Sequence, residues 1–220
     1  DINTTTITTT GTQTYGDTTG TDTITFGSNA VLTGTTVTFN APVTGAGNNL
    51  TVTGNAVFGN EGTDTVTGVA VLQVTGTTAI NTTEITTTGT QEYTGDVTLG
   101  ANASLTADNA GTAQTVTFNG NVTGVAHSFT INDNAVFGNA AGDSVTGITT
   151  LVVTGTTTIN TSTITSTGTQ TYTGNVTLGV NTVLTAGSAQ NISMESNLTG
   201  GGHTLTISGG NFVLSNASPV

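Results

Sequence analysis

Acid–base chemistry in this chain would have to come from twelve carboxylates, two His and three Tyr, because its 220 residues include no Lys, Arg or Cys. Paired carboxylates are the first arrangement to test. Glycoside hydrolysis needs two of them roughly 5–9.5 Å apart, one to protonate the leaving group and one to attack or to activate water. Acids on adjacent turns of a repetitive fold would meet that spacing. Traced through the repeat set out below, Asp64 matches Asp143 and Asp17 roughly matches Asp96. Glu84, however, is answered by Thr163, Glu92 by Thr171 and Glu61 by Ala140. Acids that are not copied read as solvated substitutions on outward turns. Polysaccharide lyases abstract a proton and hold an acidic sugar with basic side chains, and none is present. The chain is read as a non-enzyme, with no catalytic and no cofactor-binding residue assigned.

His127 and His203 fall at one repeated position, which Asn48 occupies in the first copy. A zinc site needs further nitrogen or sulfur ligands. The neighbours Val125, Ala126, Gly201, Gly202 and Thr204 supply none. A turn that accepts Asn or His is the simpler reading, so no metal ligand is assigned. Calcium, which takes acid and amide oxygens, is the best ion candidate. The Asn-Asp-Asn run at 132–134 and the Asp-Asn pair at 108–109 are where it would bind, but the GGxGxDxUx repeat of calcium-loaded β-rolls is absent. Asn-X-Ser/Thr sequons mark glycan acceptors in secreted chains. They occur at Asn3, Asn49, Asn81, Asn102, Asn121, Asn160, Asn175, Asn191, Asn197 and Asn216. With Asn and Thr this abundant, chance accounts for most of them. Tyr15, Tyr93 and Tyr172 each follow Gly-Thr-Gln-x. A sugar-stacking row would need them close together. About four turns of the fold, or ~19 Å, separate them, and a repeated aromatic filler or edge plug is preferred.

All of these matches come from one repeat of about 79 residues. The stretch INTTEITTTGT at 80–90 recurs as INTTTITTTGT at 2–12 and INTSTITSTGT at 159–169. Downstream, Phe39 and Phe118 match with Met194 in the third slot, and Val-Phe-Gly at 57–59 matches 136–138. The units are 2–79, 80–158 and 159–220, the last lacking a counterpart to roughly 145–158. Such periodicity argues for a single elongated body over residues 1–220 rather than three domains.

Composition excludes several partners. Net charge is −12 with no basic side chain, so the phosphate contacts of a nucleic-acid surface and the attraction to an anionic membrane are both missing. No apolar run approaches the ~18–20 residues of a membrane helix. Without Cys, stability must come from the fold itself.

Local patterning is short alternation, as in Thr115-Val116-Thr117-Phe118 and Thr204-Leu205-Thr206-Ile207. β-Branched Thr and Val suit a pleated strand, and period two sends one set inward and Thr outward. Gly, Asn and Asp come between and supply positive-φ and Asx turns. No 3.6-residue stripe supports a helix. Segments at 97–99, 116–118 and 136–137 recur every 19–20 residues, which predicts the coil of an all-β parallel β-helix. About 11 coils of ~19–20 residues, four per unit, would make a rod of roughly 50 Å.

The runs GTQTYTGNVTLGVNTVLTA at 168–186 and GTQEYTGDVTLGANASLTA at 89–107 resemble the repeats of filamentous-haemagglutinin-like surface adhesins of bacteria. The resemblance covers essentially the whole chain. It implies a right-handed solenoid, also the usual crossover hand, within a very large extracellular protein exported by two-partner secretion or as an autotransporter-like passenger. No secretion domain or membrane barrel of that family is recognisable here.

The expected function is therefore structural and adhesive: a rigid shaft or filament segment of a cell-surface or biofilm fibre. Its expected partners are neighbouring copies, or a continuing chain, meeting at the open solenoid ends, and a surface glycan or protein receptor. No leader precedes Asp1: either it has been removed or the chain is a segment of something larger, and the early stop of the third unit favours the second. Pro42 and Pro219 are the only prolines, and no proline-rich or charged cap is seen at Asp1. The alternative is an ice- or glycan-binding solenoid using outward Thr rows.

Overall fold

The computed structural model describes residues 1–19 and 22–215. They form a parallel β-solenoid of about ten turns, with no helix among them. Each turn gives one strand segment to each of three faces. The first face runs from Thr6–Thr8 through 31–33, 51–53, Leu72–Val74, Gln91–Tyr93 and Thr115–Phe118. It continues through Asn134–Phe137, Thr157–Ile159 and Val176–Leu178 to Leu198–Thr199. The second face starts at Gln13–Tyr15 and climbs through 37–39, 56–58, Thr78–Ile80, Val97–Leu99 and 122–123 to Leu205–Ser208. The third starts at Ile24–Thr25, which Ile2 precedes through a bridge to Phe26, and ends at Asn211–Leu214.

Alternation sets which side chains turn inward. In Thr115–Phe118, Val116 and Phe118 are buried while Thr115 and Thr117 are partly exposed. Parallel in-register pairing then places each inward residue on the one a turn below. On the second face this gives a ladder of Tyr15, Phe39, Phe58 and Ile80. Ring centroids lie 5.7 Å apart for Tyr15–Phe39 and 5.3 Å for Phe39–Phe58. The second repeat builds the same ladder from Tyr93, Phe118, Phe137 and Ile159, with ring spacings of 5.4 and 5.6 Å. Each fully buried side chain of this size is worth about 1.5–3 kcal/mol over its exposed state. The ladders also use the stacking geometry that aromatic rings favour.

The period differs from the sequence expectation. Successive rungs are about 19–26 residues apart, as between Thr38 and Val57 at the short end and Ser104 and Thr130 at the long end. Residues 97–99 do not stack beneath 116–118; they stack beneath 122–123 on the second face, while 116–118 belongs to the first. Side-chain alternation reports that a segment is a strand but not which face it joins, because corner length decides that. From Tyr15 to Tyr93 the chain passes through eleven strand segments, three full turns and two-thirds of a fourth. Each repeat is thus about 3⅔ coils rather than four, and the rod has about ten turns rather than 11.

Corners are closed by side chains. Asn55 Oδ1 accepts from Thr77 N at 3.0 Å, Asn134 Oδ1 from Thr156 N at 2.9 Å and Asn181 Oδ1 from Thr204 N at 2.9 Å, each across one turn. The second repeat also carries an insertion, a short antiparallel hairpin between Ala103–Asn109 and Thr112–Ala113.

Candidate functional site

The acids do not converge. Among the described residues no three His, Cys, Asp or Glu side chains cluster as a metal site would need. The copied pair, Asp64 and Asp143, sit at the same place in two loops. Asp64 Oδ2 accepts from Asn60 N and Glu61 N at 2.9 and 3.2 Å, and Asp143 Oδ2 accepts from Asn139 N and Ala140 N at 2.9 and 3.0 Å. Their own carbonyls accept from Thr82 Oγ1 and Thr161 Oγ1. These carboxylates cap a turn, which explains why they alone are copied faithfully. The reading of the uncopied acids as solvated outward residues is corrected at Asp133, which is buried, as is the copied Asp64.

Asp133 stands where the first repeat has Gly54. Its Oδ2 accepts from Ala107 N at 2.6 Å, at the root of the inserted hairpin. Burial pushes its carboxyl above the usual range; the Ala107 N–H opposes this, and the neighbouring Asp108 charge adds to it. The calcium candidates are engaged in such bonds. Asn132 Nδ2 donates to Ser104 Oγ and Thr106 Oγ1 at 2.9 and 3.0 Å, and Asp108 Oδ1 accepts from Gly111 N at 2.8 Å. Among the uncopied acids, Glu92 is held between Gln73 Nε2 at 3.2 Å and Asn119 Nδ2 at 3.1 Å.

His127 and His203 do lie at one kind of corner. Each follows two positive-φ residues, Val125-Ala126 (48° and 65°) or Gly201-Gly202 (58° and 89°). Asn48 follows Ala46-Gly47 (50° and 82°) in the same way. In the first and third copies the turn closes through Asn48 N to Gly45 O at 2.9 Å and His203 N to Gly200 O at 2.8 Å. Because of the 3⅔-turn repeat, the three turns occupy three different corners, and the two His are never neighbours.

The Tyr are core residues, and the sequence reading missed the Gln beside each. Tyr93 and Tyr172 are wholly buried, Tyr15 half-buried at the first turn. Burial raises all three hydroxyls above the ordinary tyrosine range. Each hydroxyl donates to the Gln two residues earlier: Tyr15 to Gln13 Oε1 at 2.6 Å, Tyr93 to Gln91 at 2.9 Å and Tyr172 to Gln170 at 3.0 Å. The signal was present in sequence as the invariant spacing of Gly-Thr-Gln-x-Tyr.

Several sequon side chains bridge coils. Asn81 Nδ2 donates to Gly59 O, Asn160 Nδ2 to Gly138 O, and Asn102, Asn121 and Asn175 accept from backbone N–H groups one turn above. Asn216 and Pro219 lie outside the described residues. On the second face the outward central row is Thr14, Thr38, Val57, Ala79, Thr98, Thr123 and Thr146, followed by Thr165, Thr185 and Ser208. It carries no charge, whereas the matching row of the first face includes Gln73 and Glu92. At one end of the rod, Ile2, Ile7, Tyr15 and Ile24 line a mouth of about 750 Å³ with Asp1 and Asp22 at its rim. At the other, Phe212 and Leu214 are exposed.

Against known proteins, the chain matches no family model, no curated protein and no solved structure.

Proposed function

We propose that this chain is a structural shaft segment of an extracellular fibre on a bacterial surface, of the filamentous-haemagglutinin-like adhesin kind. The observation that carries the reading is the continuity of the three sheets. Parallel rungs follow one another on all three faces over the described turns, and corner amides tie several turns to the next. Ten rungs spaced ~4.8 Å make a body of roughly 50 Å along its axis. Each coil contacts only its neighbours, so length adds without a larger core. Stiffness is obtained without disulfides and without ion pairs to lysine or arginine. The open ends, with parallel strand edges and apolar side chains, are where a continuing chain or another copy would add rungs.

Antibodies raised against the folded segment and applied to intact cells test the placement. Labelling of whole cells supports the reading, and labelling only after lysis overturns it. Electron microscopy at high concentration tests end-to-end stacking, which isolated short rods would sink.

A second reading, an ice- or glycan-binding solenoid, is favoured by one observation: the uncharged, Thr-rich row on the second face. Thermal hysteresis with ice shaping, or retention on a glycan array, would establish it. Blank results in both leave the shaft.

A further inference from the structure

We infer that the three buried Gln–Tyr clusters are register locks, which force each turn to pair with its true neighbour and not with the turn beyond. Coils of this rod are chemically alike. Val, Leu, Ile and Phe fill inward positions on every face, so the rungs brought together by skipping one turn would again meet apolar on apolar. Alternation with one buried face opposes a one-residue slip, but a whole-turn skip keeps the same faces inward and is not opposed by it.

The clusters break that interchangeability. Gln91 is fully buried. Its Nε2 donates to Ile85 O at 3.2 Å, Thr87 Oγ1 at 3.3 Å and, one rung above Thr87, Thr106 O at 2.8 Å. Its Oε1 receives Tyr93. Thr87 Oγ1 in turn donates to Gly89 O at 2.6 Å. Gln170 repeats this with Ile164 O, Ser166 Oγ and Thr185 O at 3.4, 3.2 and 2.8 Å. Gln13 repeats it with Ile7 O, Thr9 Oγ1 and Thr33 O at 3.3, 3.3 and 2.7 Å. Each amide thus joins two consecutive rungs of one face to the first strand of the next. If the turn beginning at Gln91 were skipped, Val116 and Phe118 would take the places of Gln91 and Tyr93, to which they are the next rung. Buried acceptors would then face methyl groups, and buried polar groups without partners are costly.

Eleven strand segments per repeat on a three-faced rod move each cluster to a new face. Gln13 lies on the second, Gln91 on the first and Gln170 on the third. A repeat of four whole turns would have left two faces without any lock.

Cysteine pairs read the register directly. Thr86 and Thr106 are adjacent rungs on the third face, and Asn132 is the rung after Thr106. Adjacent rungs lie within disulfide reach, whereas two rungs, ~9.6 Å, do not. On oxidative refolding, a Thr86→Cys/Thr106→Cys variant should cross-link and a Thr86→Cys/Asn132→Cys variant should stay reduced. Adding Gln91→Met should make the Thr86→Cys/Asn132→Cys pair cross-link in about a tenth of molecules or more. Cross-linking of the adjacent pair alone in the Gln91→Met background overturns the inference, since the cluster would then supply stability without choosing a register. If Gln91→Met does not refold, Gln170→Met is read with Thr165→Cys/Thr185→Cys as the native pair and Thr165→Cys/Ser208→Cys as the slipped one. Failure of both to refold also overturns the inference.

Discussion

The Tyr93 hydroxyl donates to Gln91 Oε1 at 2.9 Å with both side chains wholly buried. Removing the hydroxyl leaves the amide oxygen with no replacement partner and no route to water. Tyr93→Phe should therefore cost about 1–3 kcal/mol, as for an unsatisfied buried acceptor. Tyr172→Phe should cost the same. Tyr15→Phe should cost less, because its setting at the first turn is half open. Urea titrations of the three variants check the order.

Thr78 and Thr157 present the opposite case. They occupy one repeat position, are nearly fully buried, and neither Oγ1 has a hydrogen-bond partner. Thr78 stacks between Ala56 and Val97, and Thr157 between Ala135 and Val176. Valine keeps the shape and removes the desolvated hydroxyl. Thr78→Val and Thr157→Val should each raise stability by about 1 kcal/mol or more, and the two should add, since distant sites behave independently. Thermal melts of the single and double variants test this.

The solenoid itself was legible in the sequence because inward Val, Leu and Phe alternate with Thr, and because Tyr, Phe-Gly and the His/Asn position recur. The winding was not. Corner lengths vary, from the six-residue loop at 59–64 to the inserted hairpin after Ala107, and nothing in a two-residue alternation counts corners. Gln91 escaped notice for a different reason. An amide reads as surface by type, and only the closeness of Ile85 O, Thr87 Oγ1 and Thr106 O makes burial tolerable. Asp64 is buried for a similar reason, because it caps its own loop.

Asp133 should give the rod a measurable pH response. Its folded-state pKa lies above the ordinary 3.8, chiefly through burial. For a raised pKa the associated stability is fully present below the unfolded value and is lost as pH rises through the folded one. The parent should therefore be relatively more stable in mild acid than at neutral pH from this group. Asp133→Asn keeps an oxygen for Ala107 N–H and removes the charge. It should raise the melting temperature at pH 7, with the advantage vanishing below about pH 4. A melting series from pH 3 to 8 would refute the assignment if the difference did not shrink with acid.

A methyl group at Gly100 would stand 2.1 Å from Asn81 Oδ1, and one at Gly179 would stand 2.0 Å from Asn160 Oδ1. Neither contact is tolerable, so Gly100→Ala must displace Asn81 and break its bond to Gly59 O. The expected loss is about 1–3 kcal/mol. Combining it with Asn81→Ala relieves the clash, so the double variant should be more stable than the sum of the singles predicts. The same packing places the Asn81 and Asn160 amides between coils. Peptide mapping of chain isolated from its host should find neither carrying a glycan.

Val125 carries the clearest local strain. It adopts φ +48° in a corner whose counterparts are Ala46 and Gly201, and a β-branched residue resists that conformation most. Its side chain is 56% exposed, so little packing is lost when it is removed. Val125→Gly relaxes the backbone but loosens the unfolded chain, which opposes the gain. Relief of a left-handed β-branched residue, at about 1–2 kcal/mol, should prevail over the glycine entropy penalty of roughly 0.5–1 kcal/mol. The net expectation is a small stabilisation. Ala46→Val, which places a β-branched residue at the equivalent corner, should destabilise. Opposite signs at the two corners, read by denaturant midpoints, would show that the cost is conformational and belongs to the turn rather than to the repeat that carries it.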